Sequence, residues 1–157
     1  MAVEIERKFL VNSMVFRDIA SKKNYIKQGF LNSDKERVVR VRIKDTEGFL
    51  TVKGPSNAEG TTRFEWERPI PLQEAEALLL LCEDFIIEKY RYLIPVGKHT
   101  YEVDVFLGMN EGLVVAEVEL QTETEHFEKP EWLGVEVTGI EKYYNSNLSS
   151  YPFQKWD

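Results

Sequence analysis

The sequence predicts a mainly β protein of the α+β class: about eight successive antiparallel strands that curl into a closed barrel, with a few flanking helices. Three observations carry that prediction. Segment after segment alternates apolar and polar residues with a period of two, the signature of a strand with two unlike faces. Short turns rich in Gly, Asn, Asp or Pro separate the segments, which favours hairpin connections over crossovers. The polar face of nearly every segment is ionic, whereas a face turned to solvent mixes Thr, Ser, Gln and Lys. Closing the sheet turns the charged faces inward around a hydrated tunnel and leaves the apolar faces outside, to be covered by helices, long loops or a second subunit.

The first strand sets the pattern, with Glu4, Glu6 and Lys8 on one face and Val3, Ile5 and Phe9 on the other, broken only by Arg7. Asn12-Ser13 offer a cap for a short helix through Met14, Phe16, Ile19 and Ala20. Residues 25–31, YIKQGFL, read as a strand, and Asn32-Ser33-Asp34 as a turn. RVVRVRIK then sets Val39, Val41 and Ile43 against Arg40, Arg42 and Lys44; like charges two apart repel unless an anion meets them. In FLTVKG, Thr51 and Lys53 oppose Leu50 and Val52, and Gly54 to Gly60 read as loop. TRFEWER sets Arg63, Glu65 and Glu67 against Phe64 and Trp66. Pro69 and Pro71 end that strand, and Pro71 suits the first turn of the longest helix, through Leu72, Ala75, Leu78, Leu79 and Cys82. FIIEKYRYLIPV places Lys89 and Arg91 opposite Tyr90 and Tyr92 in phase, and HTYEVDVF places Glu102 and Asp104 opposite Tyr101, Val103 and Val105. LVVAEVELQ sets Glu117 and Glu119 against Ala116, Val118 and Leu120, and IEKYYNSNL reads as a short capped helix.

A chain of 157 residues, 43% hydrophobic and 30% charged, is expected to form one globular domain, residues 1–157. A formal net charge of −7 argues against a broad surface for duplex nucleic acid, and no segment has the apolar length of a membrane span. The first residues lack the pattern of a secretory signal, and Cys82 has no partner for an intramolecular disulfide, so a cytoplasmic setting is expected. Cys82, inside the run LLLLC, reads as packing, and His99 and His126 read as surface residues without ligand spacing. The loop KGPSNAEG lacks the Gly-Lys-Ser/Thr ending of a phosphate-cradling loop.

Acids and bases gather on different strands, and closing the sheet makes both groupings useful at once. Carboxylates supply the oxygen ligands that a hard divalent ion such as Mg²⁺ or Mn²⁺ requires, and Glu4, Glu6, Glu117 and Glu119 are the candidates. Arginine's planar fork and lysine's compact charge suit phosphate, and Lys8, Arg40, Arg42, Lys53, Lys89 and Arg91 suffice for several phosphates. EIERK, followed in order by VRVR, TVKG, FEWE, EKYR, YEVDVF, AEVEL and EVTGIEKYYNSNL, resembles the CYTH superfamily of triphosphate tunnel metalloenzymes over essentially the whole chain. The resemblance implies an eight-stranded antiparallel tunnel, a divalent metal and a triphosphate-bearing substrate. By motif it makes Glu4, Glu6 and Glu119 ligands of the substrate-bridging metal, and Glu117 a ligand of a second metal or the group that orients the attacking water. Lys8, Arg40, Arg42, Lys53, Lys89 and Arg91 resemble the triphosphate clamp, with Glu65, Glu67, Glu102 and Asp104 bracing it or contacting bound water.

The expected chemistry is attack of water on a terminal phosphorus, with positioning and charge neutralisation as the protein's main contribution. Lys8 and Glu117 are the expected catalytic pair. Related folds act on inorganic tripolyphosphate, thiamine triphosphate, RNA 5′-triphosphate or ATP, which class IV adenylate cyclases cyclise. No insertion for recognising a base or a thiamine stands out, so tripolyphosphate ranks first. A class IV-type adenylate cyclase or another nucleotide or thiamine triphosphatase, and a non-catalytic polyphosphate or nucleotide sensor, are the alternatives. The expected partner is a small molecule, with neither duplex nucleic acid nor membrane, and a homodimer is one way to cover the outward apolar faces.

Overall fold

The computed structural model describes residues 2–156. The alternation noted above produces nine strands: β1 (Ala2–Val11), β2 (Lys22–Asn32), β3 (Val38–Lys44), β4 (Glu47–Ser56), β5 (Thr62–Ile70), β6 (Glu83–Val96), β7 (His99–Phe106), β8 (Val114–Glu119) and β9 (Leu133–Glu136). Three short helices accompany them, α1 (Phe16–Ile19), α2 (Leu72–Leu79) and α3 (Asn145–Leu148). Among the described residues no helix is long and apolar enough to cross a membrane.

All strand pairs are antiparallel, in the order β5-β4-β3-β2-β6-β7-β8-β1-β9, and a further pairing of β5 with β1 closes the first eight into the expected barrel. The seam is built on β1. Its backbone at Glu6 and Lys8 faces Thr61 and Val137, while Ile5 faces Leu120. So β5 and β9 lie end to end along one edge of β1, and β8 takes the other. At their junction Gly60 (φ +77°) and Gly139 (φ +78°) touch: a Cβ on Gly60 would lie 2.3 Å from the Gly139 Cα. Only glycine fits both the conformation and the contact.

The differences from expectation are local. β4 continues through Gly54-Pro55-Ser56, which read as loop, because Ser56 still pairs with Arg63. β5 includes Pro69 rather than stopping before it; there β5 is paired with β4 alone, so a missing N–H on the free edge costs no ladder bond. The first helix is a four-residue turn entered from Val15, and Asn12, expected as a cap, donates its side chain to the Leu133 carbonyl instead. Pro71 stands just before α2, and the helix stops at Leu79, with Cys82 in the turn that follows. IEKYYNSNL forms not one helix but a 3₁₀ turn (Glu141–Tyr143) and α3, with Tyr144 extended between them. β9 was not expected at all.

The apolar faces point outward and the chain covers most of them itself, leaving Val3 exposed and Val39, Val52, Phe64 and Trp66 half-buried. α1 and the 121–132 segment, through Phe16, Phe127 and Trp132, cover the outer face of β1, β6, β7 and β8. α2 packs Ala75 and Leu79 on Val41, with Leu50, Ile43 and Cys82 at the margin. A third cluster lies inside. At one level the inward phase of six strands changes from ionic to apolar: Leu10 follows Lys8, Phe30 follows Gln28, Val38 precedes Arg40, Ile87 precedes Lys89, Phe106 follows Asp104 and Val115 precedes Glu117. Leu148, Tyr143, Phe153 and Trp156 pack into this collar. The C-terminal segment thus stoppers one end of the barrel, and the expected tunnel is a blind cavity at that end.

Candidate active site

The ionic phase of the strands surrounds a cavity of about 250 Å³. Glu4, Glu6 and Lys8 of β1 face it from one side, and strand register places Glu119 beside Glu6 and Glu117 beside Lys8. Arg40, Arg42 and Lys44 of β3 face it from roughly the opposite side, four strands away from β8 in the barrel order. Lys53, Glu65, Glu67, Arg91 and Glu102 complete the predicted residues on the wall.

Two of the predicted residues are not on the wall. Lys89 and Asp104 lie behind it, paired at 2.7 Å and almost fully buried. Asp104 also takes both arms of the Arg91 guanidinium, at 2.8 and 3.0 Å. Burial alone would keep this carboxyl protonated; Arg91 and Lys89 outweigh it and hold the group well below the usual carboxylate range. With Arg91 already on that carboxylate, Lys89 is the surplus cation. Burial, with Arg91 and Arg42 nearby, pushes it down to about 7 despite Asp104.

Most wall cations have an acid. Lys53 bridges Glu4 (2.9 Å) and Glu65 (3.5 Å), Arg40 reaches Glu67 (3.2 Å) and Thr51 (3.0 Å), Arg91 reaches Glu102 (3.4 Å), and Lys8 stands 3.9 Å from both Glu6 and Glu117. The Lys8 ammonium also lies 4.7 Å from the centre of the Tyr144 ring. Burial opposes ionisation of Glu4, but Lys53, a hydrogen bond with Glu65 and the charge of Arg40 bring it down to about 2. Glu65 gives the complementary response: burial and the Glu4 carboxylate push it up to about 7. Burial likewise opposes ionisation of Glu117, and Lys8 and Arg91 outweigh it.

The remaining charges form two poles without compensation. Arg42 and Lys44, both on β3, have no carboxylate within ion-pair distance among the described residues; Arg42 is satisfied only by the neutral Gln28 amide, at 2.7 Å. Arg63 also lacks an ion pair among the described residues, but it lies beside Glu4 across the β1–β5 pairing and donates its Nε and Nη2 to the Gly54 carbonyl, at 3.0 and 2.7 Å. Burial, then Arg40 and Arg91, brings Arg42 down to about 9. The Arg40 Nε is buried with no hydrogen-bond partner. At the other pole, burial and then Glu117 and Glu4 push Glu6 well above the carboxylate range, and burial with Glu102, Glu4 and Glu117 raises Glu119. Among the described residues no three acidic, His or Cys side chains stand in a metal-binding group as they are. The donor chemistry nevertheless fits a hard divalent cation: crowded carboxylate oxygens, mutually repelling, with Lys8 among the described residues the only cation in ion-pair range of Glu6 and none for Glu119.

A family model for the CYTH domain matches residues 2–150. The chain belongs to the CYTH domain family. An inorganic triphosphatase of Acetivibrio thermocellus is 46% identical over 157 residues, covering 99% of each chain. An inorganic triphosphatase of Nitrosomonas europaea is 36% identical over 151 residues, covering 93% of this chain and 96% of its own. The crystal structure of the inorganic triphosphatase NE1496 superposes with a TM-score of 0.65 at 32% identity, covering 93% and 97% of the two chains.

This CYTH cavity has wall residues that sequence reasoning did not single out as site residues: Asn24, Lys44, Ser56, Arg63, Tyr144, Asn145 and Ser146. Lys44 and Arg63 were legible, since each shares the inward phase of its strand with residues that were named. Tyr144, Asn145 and Ser146 were not, because they enter through the end of the barrel and follow no strand period. His99 pairs with Glu125 on the far side of the barrel wall, and neither it nor His126 lines the cavity.

Proposed function

We propose that this CYTH chain is a divalent-metal-dependent hydrolase of inorganic tripolyphosphate. One observation carries the reading: the cavity keeps unpaired cations on one side and uncompensated carboxylates on the other, which is the complement of a polyanion bridged to a metal ion. The relatives named as inorganic triphosphatases, alike over nearly the full length, support the same substrate. So does the stoppered end, which leaves a short blind cavity rather than a long groove.

In this reading Arg42, Lys44 and Arg63 take phosphate oxygens directly, and Arg40 and Lys53 join them when the anion competes with their acids. Asp104 holds the Arg91 fork flat against the wall at a fixed angle, so Arg91 acts as a preformed donor. Lys8 is held between Glu6 and Glu117, where it can neutralise charge that develops on a departing phosphate. Glu117 stays ionised and can accept a proton or hydrogen bond from the attacking water. Glu4, Glu6, Glu117 and Glu119 would hold Mg²⁺ or Mn²⁺, which supplies charge neutralisation on the phosphates and a water of lowered pKa when bound. A reducing, cytoplasmic setting accords with the lone Cys82, half-buried against α2.

The test is phosphate release from tripolyphosphate, ATP and thiamine triphosphate, each with Mg²⁺ or Mn²⁺, beside an assay for cyclic AMP. Metal-dependent release that is fastest from tripolyphosphate is expected. Cyclic AMP from ATP, or tight binding without any turnover, would overturn the proposal.

A further inference from the structure

The stopper does more than fill the barrel end. Asn145, the first residue of α3, lies on the cavity wall at its blind end, and its carboxamide orientation follows from its neighbours alone. Two independent lines fix it. Arg42 can only donate, so Gln28 must turn its Oε1 to the Arg42 Nε (2.7 Å), which leaves Gln28 Nε2 to donate to Asn145 at 2.8 Å. Lys89 as an ammonium carries no acceptor either, and its Nζ meets the same Asn145 oxygen at 2.9 Å. Both donors demand Oδ1, so the Nδ2 group points elsewhere. It has no hydrogen-bond partner among the described residues, and the residue is only half-buried, open toward the cavity.

We infer that Asn145 is a further substrate-binding residue: its Nδ2 donates to an oxygen of the phosphate that reaches deepest into the cavity. The anion expected there is the end phosphate of tripolyphosphate, an identity that rests on the proposed function. The chain Arg42–Gln28–Asn145–Lys89 makes the placement rigid, since each side chain in it has one allowed orientation. A neutral donor also suits this position electrostatically. Arg42, Lys89 and Lys8 already crowd the blind end with positive charge, and a further cation would repel them, whereas an amide adds a hydrogen bond without adding charge.

The test uses the whole chain and tripolyphosphate as the probe, with binding measured by calorimetry separately from turnover. Asn145→Asp keeps an acceptor for Gln28 and Lys89 but loses the donor. Its carboxylate also gives Lys89 an anion, so the variant should melt at or above the wild-type temperature while weakening tripolyphosphate binding roughly ten- to a hundredfold. A second readout needs no variant to be stable: the side-chain amide protons of Asn145 in the ¹⁵N-labelled wild type should shift downfield on saturation with tripolyphosphate. An unchanged affinity in Asn145→Asp, or unmoved amide resonances at saturation in the wild type, would overturn the inference. If the wild type binds tripolyphosphate through Asn145 but does not hydrolyse it, the proposed reaction fails and the binding role stands; if it hydrolyses it with Asn145 unmoved, the reverse holds.

Discussion

Glu6, half-buried on the cavity wall, and Asp104, fully buried, are acids of one barrel interior, and they carry opposite consequences. Asp104 is ionised and shared by Arg91 and Lys89, so Asp104→Asn leaves Lys89 without an anion and Arg91 with only its longer contact to Glu102. That variant should lose about 3–5 kcal/mol of stability, read as a lowered denaturation midpoint. Glu6 is already driven toward its neutral form by burial and by Glu117 and Glu4. Glu6→Gln, an isostere of that form, should fold with an unchanged or raised midpoint and yet lose metal-dependent phosphate release. Activity retained by Glu6→Gln would remove the residue from the metal set. Arg42 shows the same division: a cation flanked by Arg40 and Arg91 and bonded only to a neutral amide contributes little to the fold. Arg42→Gln should leave the melting temperature unchanged or higher while raising KM for tripolyphosphate at least about tenfold, the worth of a hydrogen bond to a charged group.

Among the elements, what the sequence made legible is what a local period can encode. The ionic phase of each strand repeats within a few residues, so the barrel and the wall positions of Glu4, Arg40, Lys53, Arg91 and Glu117 could be read from spacing. Depth could not. Lys89 and Asp104 share a phase with Arg91 and Glu102 but lie behind the wall, because Arg91 folds over Asp104, a choice made by side chains on different strands. β9 was missed because LGVE is too short to show a period and is held as a strand by Phe9 and Val11, more than a hundred residues earlier. The stopper was missed for the same reason: Leu148 and Phe153 show no pattern until the collar at Phe30, Phe106 and Val115 receives them. Its packing is nevertheless testable. Leu148 is fully buried, and Leu148→Ala should cost about 2–5 kcal/mol of stability. Gly60→Ala, which forces a Cβ onto Gly139 at positive φ, should cost about 1–3 kcal/mol and speed amide exchange where β1 meets β5.

The whole molecule carries a formal charge of −7 while its cavity holds nearly matched numbers of acids and bases. The excess negative charge is therefore external, and the barrel interior is where stability responds most sharply to pH. Lys89 sets one limb of that response. Its folded pKa, near 7, lies below the ordinary 10.5 because burial and two neighbouring arginines disfavour the ammonium. Between those two values the unfolded chain holds a proton at Lys89 that the folded chain has released. The unfolded state then binds more protons, and stability rises with pH across that window. Below about 7 both states are protonated and the contribution is flat. Lys89→Met removes the titration and retains the bulk of the stem, so comparison of wild type and variant cancels the groups common to both, Arg42 included. The denaturation midpoint of the wild type should climb relative to that of Lys89→Met from pH 7 toward pH 10, and a constant difference over that range would show that Lys89 stays charged in the fold, held by Asp104 against the cost of burial.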